Sequence, residues 1–235
     1  MSPTRPAALA FAWAGAALFG ASLAVFAYVY LVSFGRTVQD GPALPAALFD
    51  AALFSGFALH HSVFARHAVR AWMARTVSAR LERAVYVWLA SVLFLAVCLS
   101  WRAVPGLLYS LPGPAAIAGY LVQAAGLVLT LRSSAALGLG ELAGLRAARG
   151  HEPAEGSLQT SGLYGIVRHP LYFAWVLMVF GAPHMTMTRF VFAVVSTGYL
   201  AAAIPFEERG LIRVYGDAYH TYTRRVRWRM VPGIY

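Results

Sequence analysis

The chain has 235 residues, 60% of them hydrophobic and 12% charged, a net charge of +10 and a mean hydropathy of +0.63. That apolar content exceeds what one water-soluble core requires, so an ordinary soluble domain is excluded. The positive charge comes from arginine alone, and its interleaving with long apolar runs points to membrane topology and contact with membrane lipids, not to nucleic acid.

Apolar runs recur at residues 7–34, 43–64, 84–101, 115–131, 171–182 and 190–206. Most are long enough to cross a bilayer as helices, and a helix is required because backbone polar groups must be satisfied inside lipid. The first run lacks a strongly basic start and a small-residue cleavage site, which predicts a retained helix and not a removed signal. The single cysteine, Cys98, lies inside an apolar run; an internal disulfide and cysteine-rich metal sites are excluded.

Gly and Pro residues in "SFGRTVQDGPALP" predict an exterior turn after the first helix. The second helix leads into a basic connection carrying Arg66, Arg70, Arg75, Arg80 and Arg83, with Val69, Trp72 and Met73 between them, the pattern of an interfacial amphipathic helix. "WRAVPGLLYSLPGPAA" reads as a second exterior loop, and residues 132–168 as a long polar segment of the kind that is functional or disordered. A helical hairpin with its turn at "GAPHMTMTR" completes the chain before a basic tail.

The connections at 66–83, 132–168 and 209–229 hold nearly all the arginines, whereas the alternate loops hold Arg36, Arg102 and Arg189. The positive-inside rule therefore predicts an all-α, polytopic membrane bundle with about six crossings and both termini cytoplasmic. Two regions are expected: residues 1–131, transmembrane helices with a basic cytoplasmic loop, and residues 132–235, a functional region with the hairpin and tail.

The 171–182 run spans only about 18 Å, short of the roughly 30 Å hydrocarbon core, so its helix is expected to start earlier. Extension draws in "VRHPLY": Arg168 and His169 beside Pro170, which either opens the helix or kinks it. Arg168 can simply snorkel, while His169, three residues before Tyr172, is equally readable as a site residue. The other arm ends on Glu207 and Glu208, explicable by charge balance with Arg209 and Arg213 or by convergence on the His169 end.

"GLYGIVRHPLYFAW" followed by "PFEERGLIRVYGDAYHTYTRRV" resembles the paired signature of the isoprenylcysteine carboxyl methyltransferase and phospholipid methyltransferase superfamily. Arg168, His169, Pro170 and Tyr172 match its first half. Glu207, Glu208, Leu211, Tyr215, Gly216, Tyr219 and Tyr222 match its second. The upstream "LHHSVFARHAVRAW" resembles the bacterial branch related to NnrU and methanethiol S-methyltransferase, with His61, Ser62, Val63, Ala65 and Arg66 matching and His60 replacing a glutamine. Two positions depart from the pattern: Ala174 stands for a glycine, and Arg227 for a proline after Arg225 and Val226.

The resemblance implies an enzyme of the bacterial inner membrane that binds S-adenosylmethionine at the cytoplasmic end of the hairpin, through Arg168, His169, Pro170, Tyr172, Glu207 and Glu208. It implies a small or lipophilic thiol as acceptor, with Arg225 or His61 favouring the thiolate. An isoprenylcysteine carboxylate or phospholipid amine is the neighbouring alternative. An NADPH-dependent membrane reductase and a non-enzymatic membrane component are alternatives of other classes. No strand precedes a Gly-x-Gly-x-x-Gly, which disfavours a Rossmann site. His60, His61 and His67 do not form an expected metal site, since adjacent histidines do not share a helical face and no carboxylate or cysteine supports them. Oligomeric state is not legible.

Overall fold

A computed structural model describes residues 5–64, 81–137 and 158–235, together with 66, 69, 72, 73, 75, 77 and 145. The chain forms two compact units, residues 1–106 with 137–154 and residues 107–136 with 155–235.

The first unit contains α1 (Arg5–Tyr28), continued by a wider π turn at Val29–Ser33, α2 (Ala43–Phe64) and α3 (Glu82–Ser100). α1 and α3 pack through small residues: Ala12 and Ala84 are buried together with Leu145. A Cβ on Gly15 would lie 2.8 Å from the Trp88 ring, so glycine is what admits the indole there. Trp88 also stacks on Phe11 and donates its Nε1–H to the Phe11 carbonyl at 3.0 Å. Fully buried Asp50 on α2 accepts from the Arg102 backbone N–H at 2.8 Å, tying α2 to the chain beyond α3. The interfacial helix expected over 66–83 falls largely outside the described residues, as does His67.

The second unit holds β1 (Leu107–Ser110), α4 (Gly113–Leu137), a 3-10 turn (Gly162–Gly165), α5 (Pro170–Phe180), β2 (His184–Thr186), α6 (Met187–Tyr215) and α7 (Asp217–Arg225). β1 and β2 pair antiparallel, Leu107 opposite Thr186 and Ser110 opposite His184, with an irregularity between Leu107 and Tyr109. This ribbon was not legible as strands; two loops assigned to the exterior satisfy each other's backbone groups. In the first unit, the connections after α1 and after α3 also meet, Gly106 N–H donating to the Val38 carbonyl at 2.9 Å.

Among the described residues five helices are long and apolar enough to cross a membrane, and the chain is an integral membrane helical protein. The short arm differs from expectation. α5 begins at Pro170 and has 11 residues, about 16 Å, so Arg168 and His169 precede it instead of extending it. Proline at the first helical position has a preset φ and lacks only a donor that would be unpaired anyway, so it opens the helix without a kink.

α4 crosses α5 with backbones almost touching. A Cβ on Gly126 would sit 2.6 Å from Met178 N and 2.7 Å from the Ala174 carbonyl, and one on Gly119 would sit 2.9 Å from the Gly181 carbonyl. Gln123 Nε2 closes the contact on the Met178 carbonyl at 3.0 Å. Small residues at such crossings allow the packing that drives helix association in lipid. Ala174, fully buried, thus lies in a helix-helix contact. Gly126→Leu is expected to cost about 1–3 kcal/mol through overpacking. Gly20→Leu, where nothing lies within 4 Å of the added Cβ, should be close to neutral; thermal unfolding in detergent compares them.

Candidate functional site

The open end of the α5–α6 hairpin gathers the polar residues. Pro205 lies inside α6 and cannot donate to the Ala201 carbonyl one turn earlier. That carbonyl accepts instead from the Tyr235 hydroxyl at 3.4 Å. Within the turn that follows the proline, Glu207 and Glu208 are separated by the 100° helical step and face different surroundings.

Glu208 turns inward. Its Oε1 accepts from Arg168 Nε at 2.6 Å and its Oε2 lies 3.3 Å from Arg229 Nε, with the Arg168 and Glu208 side chains 7% and 10% exposed. Arg168 Nη1 donates to the Val226 and Arg227 carbonyls at 2.8 and 2.9 Å. The backbone N–H groups of Arg168 and His169 donate to the Trp228 and Arg229 carbonyls at 2.9 and 2.8 Å. Residues 226–229 therefore form an extended strap laid against the entry to α5, fixed by one side chain and two amides. Arg229 also donates to the Tyr235 hydroxyl at 3.1 Å and lies 5.2 Å from its ring centroid.

Glu207 turns outward, its side chain 46% exposed, and accepts a short hydrogen bond from the Tyr172 hydroxyl. His169 stacks on Tyr172 with ring centroids 5.4 Å apart and planes 16° apart. Its Nδ1 lies 3.5 Å from Glu207 and its Nε2 3.5 Å from Glu208 Oε1; Nε2 is buried without a hydrogen-bond partner of good geometry. The result is a half-exposed carboxylate held by Tyr172, whose ring stacks on the buried His169, backed by the buried Arg168–Glu208 pair with the more exposed Arg229 beside it.

The tyrosine-rich part of the motif packs this floor. Gly216 has φ +52° and ψ −127°, a conformation side chains disfavour, and there the chain turns from α6 into α7. Tyr219, Tyr222 and Val226 then form a buried cluster with Leu158, Leu211, Ile212 and Tyr215. Tyr222 donates its hydroxyl to the Tyr164 carbonyl at 2.7 Å, pinning the 3-10 turn. Burial pushes the Tyr222 phenol up to about 12, and burial together with the Glu208 charge raises that of Tyr219, so both remain neutral at physiological pH.

Of the expected cofactor residues, Arg168, His169, Tyr172, Glu207 and Glu208 converge, and Pro170 sets the start of the helix beside them. Arg225 stands outside this cluster: it is exposed at the end of α7 and donates from Nη2 to the Thr160 carbonyl at 2.9 Å. His61 belongs to the first unit, at the end of α2, with Nδ1 2.9 Å from the Tyr86 hydroxyl and Arg83 over the Tyr86 ring at 5.0 Å. His60 stacks on Phe64. Sequence reasoning did not single out Arg229 or Tyr235. No local pattern separates Arg229 from the other arginines after Glu208; its role comes from the strap's long-range pairing.

The geometry divides the two carboxylates. Breaking a buried ion pair by removing one partner costs about 3–5 kcal/mol. Glu208→Gln is therefore expected to lower stability by about that amount, whereas the half-exposed Glu207→Gln should cost no more than about 1 kcal/mol. Equal losses in denaturant unfolding of the detergent-purified variants would contradict this division.

Comparison with known proteins gives consistent matches. The phospholipid methyltransferase family model matches residues 114–218. A methanethiol S-methyltransferase of Mycobacterium tuberculosis is 36% identical over 218 residues, 84% of this chain and 89% of the relative. Methanethiol S-methyltransferase 2 of Bradyrhizobium diazoefficiens is 36% identical over 194 residues, 81% of this chain and 74% of the relative. A protein-S-isoprenylcysteine O-methyltransferase of Arabidopsis thaliana is 36% identical over 72 residues, 29% of this chain and 36% of that protein. No solved structure matches.

Proposed function

The chain belongs to the methanethiol S-methyltransferase family, within the superfamily of phospholipid and isoprenylcysteine methyltransferases, and from that membership we propose that it methylates a small or lipophilic thiol, methanethiol being the acceptor its relatives' names give. The donor on this reading is S-adenosylmethionine, held by residues of the 132–235 region. The observation that carries the proposal is the carboxylate left outward at the hairpin end, Glu207 held by Tyr172, whose ring stacks on the buried His169.

These residues suit that donor chemically. A carboxylate accepts from ribose hydroxyls or an amino group, and an aromatic face favours a sulfonium. When bound, S-adenosylmethionine supplies an electrophilic methyl group on a cationic sulfur. The protein's part is to orient the reactants: Tyr172, backed by His169, presents a ring face, Glu207 a negative charge, and the Glu208–Arg168–Arg229 group holds their backbone in place. Alignment of this kind contributes up to about 7–11 kcal/mol for well-oriented groups. No protein nucleophile is required. Attack of an anionic thiolate on a cation destroys charge, so exclusion of water disfavours the reactants more than the transition state.

The location agrees with this chemistry. Along α6, Arg189 and Glu207 are separated by about 27 Å, close to the hydrocarbon thickness, which supports a cluster lying at one membrane interface. The arginine distribution makes that interface cytoplasmic, with both termini on the same side and the short α5 arm as a sixth, truncated passage, in the bacterial inner membrane. Arg225 or His61 favours the thiolate form of the acceptor, by charge or by taking the proton.

Detergent-purified protein is expected to transfer labelled methyl from S-adenosylmethionine to volatile thiols, and to bind S-adenosylhomocysteine but not NADPH. Transfer to prenylcysteines or phosphatidylethanolamine in place of thiols would overturn the acceptor, and preference for NADPH would overturn the reaction class. Arg225→Ala should lower kcat while leaving S-adenosylhomocysteine affinity nearly unchanged. Parallel loss of both would move Arg225 to the donor site.

A further inference from the structure

Arg229 stands within reach of both carboxylates of the hairpin end and is held on one of them. Its backbone carbonyl accepts from the His169 N–H at 2.8 Å, and the His169 ring lies between the two acids, Nδ1 3.5 Å from Glu207 Oε2 and Nε2 3.5 Å from Glu208 Oε1. From that anchor a long arginine side chain can turn to either acid by a change of rotamer. Charge balance alone favours Glu207. Glu208 is already paired with Arg168 at 2.6 Å, so a second guanidinium there joins a neutralised pair, whereas among the described residues Glu207 has no arginine within ion-pair distance. The structure nevertheless puts Arg229 Nε 3.3 Å from Glu208 Oε2, on a side chain 37% exposed and therefore not confined by packing.

Tyr235 supplies the missing restraint. Arg229 Nη1 donates to its hydroxyl at 3.1 Å, and the guanidinium carbon lies 5.2 Å from its ring centroid, close enough for a cation–π attraction. Tyr235 is itself fixed at both ends. Its hydroxyl donates to the Ala201 carbonyl at 3.4 Å, the acceptor that Pro205 leaves open. Its backbone closes a turn: the N–H donates to the Val231 carbonyl at 3.0 Å, and the carbonyl accepts from the Met230 and Val231 N–H groups at 2.8 and 3.0 Å. We infer that Tyr235 is a positioning residue of the proposed donor site: it holds the Arg229 guanidinium on Glu208 and so leaves Glu207 negative and open to a cationic donor. Without the phenol, Arg229 turns onto Glu207, and a donor must displace it. The placement of Arg229 does not depend on the methyltransferase reading; its effect on donor affinity rests on that reading.

Tyr235→Leu removes both the hydroxyl and the ring, and Tyr235→Phe the hydroxyl only. In the detergent-purified full chain, Tyr235→Leu should bind S-adenosylmethionine about fivefold more weakly, the equivalent of one exposed ion pair that the donor must break, and Tyr235→Phe should lose less. KM for S-adenosylmethionine should rise more than kcat falls, the pattern of a lost binding interaction. High salt should narrow the difference. In an Arg229→Gln background, Tyr235→Leu should weaken binding no further; a loss that persists there is a packing effect and overturns the inference. Unchanged affinity in Tyr235→Leu overturns the inference and leaves the methyltransferase reading standing, whereas an unsubstituted chain that binds neither S-adenosylmethionine nor S-adenosylhomocysteine overturns that reading. A measurement without donor covers the second case. In protein with isotope-labelled arginine, the Arg229 side-chain N–H resonance should shift on Tyr235→Leu, and adding Glu207→Gln should abolish the shift. A shift indifferent to Glu207→Gln means that the guanidinium has not moved onto that carboxylate, and it overturns the inference.

Discussion

The arrangement of the hairpin end depends on one buried ion pair, Arg168 with Glu208 at 2.6 Å. Two charges withdrawn from water carry a desolvation cost that their attraction offsets only when the remaining donors and acceptors are also satisfied. Here they are. The second carboxylate oxygen has Arg229, and the second arm of the Arg168 guanidinium has two strap carbonyls. The pair thus recruits the strap, and the strap's own carbonyls then fix the backbone of Arg168 and His169. Removing either charge would leave the other buried and would release three segments at once: the α6 end, the α5 entry and residues 226–229.

Two prolines shape the same end by opposite means. Pro170 stands at the first position of α5, where its missing N–H is harmless, and it defines where His169 leaves the helix. Pro205 stands inside α6 and frees a carbonyl within a segment apolar enough to span a membrane. An unsatisfied carbonyl there costs several kcal/mol, and helices in membranes tolerate proline where a neighbour supplies the missing donor. The Tyr235 hydroxyl does so while also accepting from Arg229, so the proline and the Arg–Glu–Arg group are joined through one phenol.

Much of this was legible in the chain. The apolar runs and arginine placement indicated a polytopic helical membrane protein, and the paired motifs led to Arg168, His169, Tyr172, Glu207 and Glu208, which the structure brings together. The β1–β2 ribbon was not legible, because strands of four and three residues have no periodicity to distinguish them from Pro/Gly-rich loops. Arg229 and Tyr235 escaped for another reason: their partners are set by strap pairing and by the carbonyl that Pro205 frees, neither of which follows from local spacing. The need for glycine at 126 was not legible either, since it comes from the backbone of α5 at Ala174 and Met178 lying against it.

The adjacency of Glu207 and Glu208 carries the remaining step. Successive residues on a helix cannot share a face, so a glutamate pair at this point serves two environments by geometry alone. One carboxylate is spent on a buried framework with arginines on both oxygens; the other stays at the open surface, anchored by a tyrosine hydroxyl and without an arginine among its described contacts. On the reading proposed above, a cationic donor would find its complement in the second carboxylate, because the first is already paired with the arginines. Had both faced the same side, Arg168 and Arg229 would have been shared between them and no carboxylate would stay free of arginine at the open surface.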